Sequence, residues 1–289
     1  MTCQVHRLFE KLQRMKTYDS LYEKLGQFGY YQALLYFGLC YNAFTDGFIT
    51  VGSVFTQYGQ DFQCTESGIP VNKSDTRCGG TTIDQCKIRT EGVLTSCQTF
   101  NYSQDVVTDT ITSDFDLVCG NEYLNAVLVI CLFAGLFFGA SLGGFISDNY
   151  GRKTALLMGQ TVVILAVGAT RFAWSWWWIA LTRFLYGMFG HVCYLAMFVY
   201  IMEVIGPKTR SQAGIHVQSF FAIGYTLLSP LAMWLREWRW LQTSLAVLAV
   251  PFWFFILYIK ESPRWLISKK RFDEAHIALE RIAVGKDCF

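Results

Sequence analysis

Charge is scarce in this chain. Asp, Glu, Lys and Arg together make up 16% of its 289 residues, against about a quarter in an ordinary soluble domain. It has no G-x-G-x-x-G, no Walker-type phosphate loop and no G-x-S-x-G turn, so dinucleotide, nucleotide and acyl-transfer chemistry lack their usual residues. Four histidines and scattered cysteines form no set with tetrahedral metal spacing. A net charge of +2 gives nucleic acid no electrostatic footprint. These absences predict no enzyme, no cofactor and no metal.

Apolar and aromatic side chains are in excess, at 53% and 17%. A bilayer core needs about 20 mostly apolar residues per helix. Six segments meet that need: Phe28–Phe55, Tyr123–Ile146, Ala155–Phe172, Trp178–Ile205, Ala213–Trp234 and Leu241–Ile259. The fold expected is an all-α membrane protein with six transmembrane helices and a lipid bilayer as its main partner. The first segment follows a polar arm without a small-residue cleavage site, so it is a retained span. Lys and Arg cluster before helix one (Arg7, Lys11, Arg14, Lys16, Lys24), after helix two (Arg152, Lys153), after helix four (Lys208, Arg210) and after helix six (Arg264, Lys269, Lys270, Arg271). Six spans put all four regions on one side, which the positive-inside rule makes the cytoplasm. Residues 1–27 are then a cytoplasmic arm, and 260–289 a cytoplasmic tail. The tail reads as an amphipathic helix with Phe272, Ala275, Leu279 and Ile282 on one face. A helix lying on the membrane surface is the other reading of that pattern.

The same count puts 56–122 outside. That loop carries two N-glycosylation acceptors, Asn72 in Asn72-Lys73-Ser74 and Asn101 in Asn101-Tyr102-Ser103, and each supports the other's placement. It also holds Cys64, Cys78, Cys86, Cys97 and Cys119. Disulfides belong in oxidising compartments, and a long loop without a core needs staples. Five is odd, so at least one thiol is left over. Cys40, Cys131 and Cys193 fall in helices and read as packing residues.

Between helices two and three the chain reads GGFISDNYGRK. Gly144, Asp148, Gly151, Arg152 and Lys153 match G-x-x-x-D-x-x-G-R-R/K, which resembles the helix 2–3 loop of the major facilitator superfamily. Further stretches narrow the resemblance: Asp116-Leu117-Val118-Cys119 closes the outer loop, Arg239-Trp240-Leu241 precedes helix six, and Glu261 to Leu266 reads ESPRWL. With the large Cys-bearing loop, these look like the organic cation/anion/carnitine transporter family, over about Leu25 to Ile282. That family has two six-helix halves, usually six loop cysteines and a Pro where Lys260 stands here. The resemblance therefore implies one half of a major facilitator fold, with a missing C-terminal six-helix half or a second subunit as partner.

It also implies roles. Asp148 with Arg152, Glu203 with Arg210 (the E-x(6)-R spacing of sugar-porter-like transporters) and Glu261 with Arg264 fall at cytoplasmic helix ends. They are expected as three gating ion pairs. Gly135, Gly139 and Gly143 recur every fourth residue and read as close helix packing. Asp46 lies within the first apolar segment, and an intramembrane acid is a functional candidate by default. The bland reading has it near the interface, or bonded to Asn42 or Thr45. His191, Tyr194, Phe198 and Met202 share one face of helix four. Tyr194 and Phe198 are expected in the cavity, where ring faces attract ammonium groups, and Met202 in packing. His191 holds a position often Lys in the family, and Gln218 matches a polar contact in its cation-transporting branch. The function expected is plasma-membrane transport of an organic cation or carnitine-like zwitterion by alternating access. The alternatives are organic anion transport, or a truncated, non-transporting partner subunit.

Overall fold

The computed structural model describes residues 29–66, 69–70, 86–90, 93–97 and 99–284. Asn72 and Cys78 lie outside the described residues, as does the N-terminal arm. Six long helices form the body: α1 (Tyr30–Thr56), α3 (Tyr123–Tyr150), α4 (Arg152–Thr170), α5 (Trp176–Val204), α6 (Arg210–Leu235) and α7 (Trp238–Tyr258). A short α2 (Ile111–Asp114) precedes α3, and α8 (Pro263–Ser268) and α9 (Phe272–Val284) follow α7. All six long helices have bilayer-spanning length. Among the described residues, four are also apolar enough to cross a membrane by composition: the Cys119–Tyr150 stretch holding α3, then α4, α5 and α7, with mean hydropathy from 1.4 to 2.4. Helices α1 and α6 fall below that level because polar residues interrupt them, among them Asn42 and Asp46 in α1 and His216 and Gln218 in α6. These two helices pack on each other.

Small residues set the tightest crossings. Gly135, Gly139 and Gly143 of α3 are buried, and a Cβ on any of them would press on the α5 backbone at Phe184, Met188 or Val192. The packing role read from their spacing is what the structure shows.

The turn between α3 and α4 is one residue, Gly151, with φ +103°. A side chain there would be strained and would strike the Glu261 carboxylate, so glycine is required twice over.

The long loop is less bare than its sequence suggests. Strand β1 (Phe62–Glu66) pairs antiparallel with β2 (Ile69–Pro70) and β5 (Phe100–Tyr102), and β3 (Lys87–Thr90) with β4 (Val93–Ser96). Two disulfides, Cys64–Cys97 and Cys86–Cys119, interleave across it. Cys40, Cys131 and Cys193 are free thiols within the helices, the first and last buried. The end of the loop sits on a small apolar core of Ile111, Leu117, Leu124, Leu128, Ile179 and Trp238.

At the opposite end of the bundle α9 buries Ala275, Ala278, Leu279 and Ile282 against α8 and α1. Phe272, expected on that face, is exposed, and Ala278 takes its place. Most of the apolar side of this helix is thus packed on its own protein, with Ile277 exposed.

Candidate functional site

Two constellations stand out. The first gathers charge at the end of the bundle away from the long loop. Arg152 opens α4 and is almost fully buried. It grips Glu203 of α5 with two parallel bonds, Nη2 to Oε1 at 2.9 Å and Nε to Oε2 at 3.1 Å. Its Nη1 donates to Asp148 Oδ1 at 3.0 Å and to Ser147 O at 2.8 Å. Ser262 Oγ adds a 2.6 Å bond to Glu203. Bidentate Arg–carboxylate pairing is the strong form of this contact. Glu203 is therefore held by Arg152, a partner that the E-x(6)-R spacing did not name. Arg210 donates from Nη2 to Ile205 O at 3.4 Å.

Glu261 does a job that its spacing from Arg264 did not suggest. Its Oε1 accepts from the backbone N–H groups of Arg152, Lys153 and Ser262 at 2.9, 3.1 and 2.9 Å. It caps the start of α4 from across the bundle, where orphan N–H groups and the helix dipole favour a carboxylate. Trp265 Nε1 donates to Asp148 O at 2.9 Å, so α8 is pinned to the same turn. Asp148, Arg152, Glu203, Arg264 and Trp265 line one cleft of about 290 Å³.

Burial pushes the Glu261 carboxyl above the usual carboxylate range, while the three N–H bonds and the Arg152 charge pull it back. A raised pKa means that ionisation weakens the fold here. Stability from the shift is present below the unfolded value and lost as pH rises through the folded one. Glu261→Gln keeps the acceptor and removes the charge, so it should cost under about 1 kcal/mol. Glu261→Ala orphans buried donors and should cost about 1–3 kcal/mol or more. Thermal unfolding of the detergent-purified variants separates these outcomes; equal losses would show that the charge, not the cap, matters.

The second constellation lies inside the helices. Asp46 of α1 is half-buried. It does not bond Asn42 or Thr45: the Thr45 hydroxyl donates to Asn42 O at 3.0 Å, and the hydrogen-bonding side chain beside Asp46 is Thr50. The carboxylate faces α5, where a Cβ added to Gly190 would sit 3.9 Å from its Oδ1, and its charge acts on Tyr186 and Tyr194. Gln218 Nε2 of α6 donates to the Tyr194 hydroxyl at 2.6 Å. The His191 ring lies nearly parallel to Tyr194, centroids 6.3 Å apart. Phe198, Met202, Arg210, Gly214 and Gln218 line an open groove of about 590 Å³ between α5 and α6. The structure thus brings Asp46, His191, Tyr194 and Gln218 into one neighbourhood, with Phe198 on the adjoining groove. Met202 lines that groove as well as packing against the core.

Sequence reasoning passed over Arg183. It is fully buried in α5 and held by neutral groups, Gln57 Oε1 at 2.5 Å and Thr56 Oγ1 at 3.1 Å. The rule that singles out Asp46, a charge within an apolar segment, singles out Arg183 equally. No group of three metal-ligating side chains occurs among the described residues.

Comparison with known proteins fits this arrangement. The family model for "Sugar (and other) transporter" matches residues 47–287. An organic cation transporter-like protein of Drosophila melanogaster is 28% identical over 286 residues, covering 92% of this chain and 50% of its own. Solute carrier family 22 member 3 of Rattus norvegicus is 28% identical, covering 93% and 56%. Member 1 of the same family from Bos taurus is 29% identical, covering 93% and 54%. The chain spans about half the length of these relatives. Among solved structures, the proton:xylose symporter XylE of the major facilitator superfamily, bound to 6-bromo-6-deoxy-D-glucose, matches with a TM-score of 0.58. That match has 15% identity and covers 87% of this chain and 50% of the other. At that identity it speaks for the fold alone, one half of a major facilitator bundle. With the family model running through five of the six long helices and the end of α1, the chain belongs to the sugar (and other) transporter family, a family of membrane carriers and not of enzymes.

Proposed function

We propose that this chain is the six-helix half of an alternating-access carrier for organic cations or carnitine-like zwitterions. The observation that carries the reading is Asp46, a partly buried carboxylate within α1 that faces α5 beside Gly190. A carboxylate attracts an ammonium group, and the ring faces of Tyr194 and Phe198 each add about 0.5–2 kcal/mol. Relatives named as organic cation transporters support the same chemistry. Uptake of a monovalent cation gains roughly 2.3 kcal/mol per 100 mV of inside-negative potential, so uniport suffices. Organic anions are the second reading. His191 beside Tyr194 favours them when protonated, and Asp46 opposes them.

Asp148, Arg152, Glu203, Arg210, Glu261 and Arg264 then act as a lock that holds their end of the bundle closed while the other end is open. Interfacial ion pairs suit this task because two arrangements a few kcal/mol apart can exchange. We place that end in the cytoplasm of a plasma-membrane protein, both termini with it, on the positive-inside count. The long loop then faces outside.

The test of the site is Asp46→Asn, made in the chain fused to a matching second half. Asn keeps the shape and removes the charge, so binding of a labelled organic cation should weaken about tenfold or more, equivalent to about 1.4 kcal/mol. Folding should change little. Unchanged affinity at normal surface expression returns Asp46 to a structural role.

The test of orientation is glycosylation. Asn101 is exposed on β5. Expressed in a eukaryotic secretory host, the chain should shift on a gel after enzymatic deglycosylation. Asn72→Gln combined with Asn101→Gln should abolish the shift. A wild-type chain that shows no shift speaks against the outside placement.

A further inference from the structure

The seam between α4 and α7 takes no part in either constellation. The open groove is lined from α5, α6 and the link between them, while α4 and α7 pack on each other. Both helices carry an exposed apolar stripe beside their seam. On α4, Leu165, Gly168 and Phe172 stand at spacings of three and four, so they share a face. On α7, Trp240, Val247 and Phe254 recur every seventh residue, close to two full turns. Leu165, Phe172, Trp240, Val247 and Phe254 are each more than half exposed. A Cβ added to Gly168 would meet only Ala246 of α7, at 3.9 Å. The missing side chain leaves a shallow channel between the stripes. At 1.5 Å per residue, Trp240 to Phe254 spans about 21 Å, more than the ~15 Å of hydrocarbon in one leaflet.

Arg171 stands at the end of this channel, where α4 closes. Its guanidinium lies over the Trp240 ring, Cζ 4.1 Å from the centroid. Its Nη1 donates to Thr243 Oγ1 at 2.8 Å. Both contacts come from α7, so the group is held across the seam. Among the described residues no carboxylate pairs with it. The Asp114 carboxylate nearby is taken by Arg239, at 2.9 Å. Phe172, Trp174 and Trp177 stand exposed along the turn beside it.

We infer that the α4–α7 seam binds one phospholipid, its phosphate on Arg171 and an acyl chain in the channel past Gly168. A guanidinium with donors to spare meets phosphate oxygens in pairs. Trp side chains favour the headgroup level of a bilayer, which is the depth of that phosphate. A cation at the edge of hydrocarbon is costly without a partner, and a lipid phosphate at the same depth supplies one. The stripes below Arg171 are apolar throughout, as a chain attached to that phosphate requires. The inference needs a bilayer around the bundle and no particular substrate, so it is independent of the cation reading.

The experiment is native mass spectrometry of the detergent-purified 289-residue chain with added phosphatidylcholine. The chain should keep one lipid after the detergent is stripped. Diacylglycerol with the same acyl chains should be kept at least threefold less. Arg171→Gln should lower the phospholipid-bound fraction at least threefold. Arg236→Gln removes an exposed cation from the same end of the bundle and should leave that fraction unchanged. Because Arg171→Gln can fail to fold, a second variant stands beside it. Gly168→Leu fills the channel, leaves Arg171 in place and should also lower the bound fraction at least threefold. Equal retention of diacylglycerol, or of phosphatidylcholine by folded Arg171→Gln, overturns the phosphate site. An equal loss in Arg236→Gln does the same, since it would reduce the effect to general charge attraction. Unchanged retention in Gly168→Leu overturns the channel. A wild-type chain that keeps no lipid overturns the inference as a whole.

Discussion

Cells expressing this chain alone will not accumulate a fluorescent organic cation above background, even where surface labelling finds the protein. Alternating access needs two halves around a site near the bilayer midplane, and these six helices supply one wall. The groove between α5 and α6 is open, and Gln218 and His216 stand exposed on α6. An unsatisfied polar group in hydrocarbon costs several kcal/mol, so this face needs another half against it. Poor surface delivery or assembly with another half is the expected fate of the chain by itself. The contrary outcome is saturable uptake that tracks surface level, is lost in Arg152→Ala and survives removal of endogenous relatives. It would show that copies of this chain form a working pair.

The bundle was legible because apolarity is written residue by residue. Long runs such as Tyr123–Ile146 need no tertiary information, and the four-residue recurrence of Gly135, Gly139 and Gly143 fixes which face of α3 lies against α5. The strands of the loop were not legible. Their pairing is carried by backbone bonds in polar segments such as Phe62–Glu66, with Phe62 opposite Tyr102 as one of few apolar anchors. The charged end was legible in membership and in the Asp148–Arg152 pair, and not in its long-range contacts. Sequence spacing joined Glu203 to Arg210 and Glu261 to Arg264, both neighbours along the chain. The fold adds what spacing could not give: it brings Arg152 to Glu203 from 51 positions away and the Arg152 and Lys153 amides to Glu261 from 109 and 108. Such partners are chosen by where the α3–α4 turn docks, which no local pattern records. Helix α9 shows the same limit on a smaller scale. Its period was right, yet Phe272 at its first position is exposed.

The largest single-residue effect expected is at Arg152. One guanidinium there satisfies Glu203 twice, Asp148 once and the Ser147 carbonyl. Truncation to Ala leaves the Glu203 carboxylate buried with its bidentate partner gone, and breaking a buried pair from one side costs about 3–5 kcal/mol. Lysine keeps the charge without the planar fork, so Arg152→Lys should fall between wild type and Ala. Asp148→Ala should cost under about 1 kcal/mol, since an exposed partner contributes little in high dielectric. The decisive variant is the double one. If the stranded charge is the cost, Arg152→Ala with Glu203→Gln should be more stable than Arg152→Ala alone. Thermal unfolding in detergent gives all four numbers. In the version fused to a second half, the same series should separate stability from switching: Arg152→Ala should abolish uptake, and the double variant should recover surface protein without recovering uptake. A double variant that regains both would make Arg152 a structural residue and leave the lock without its centre.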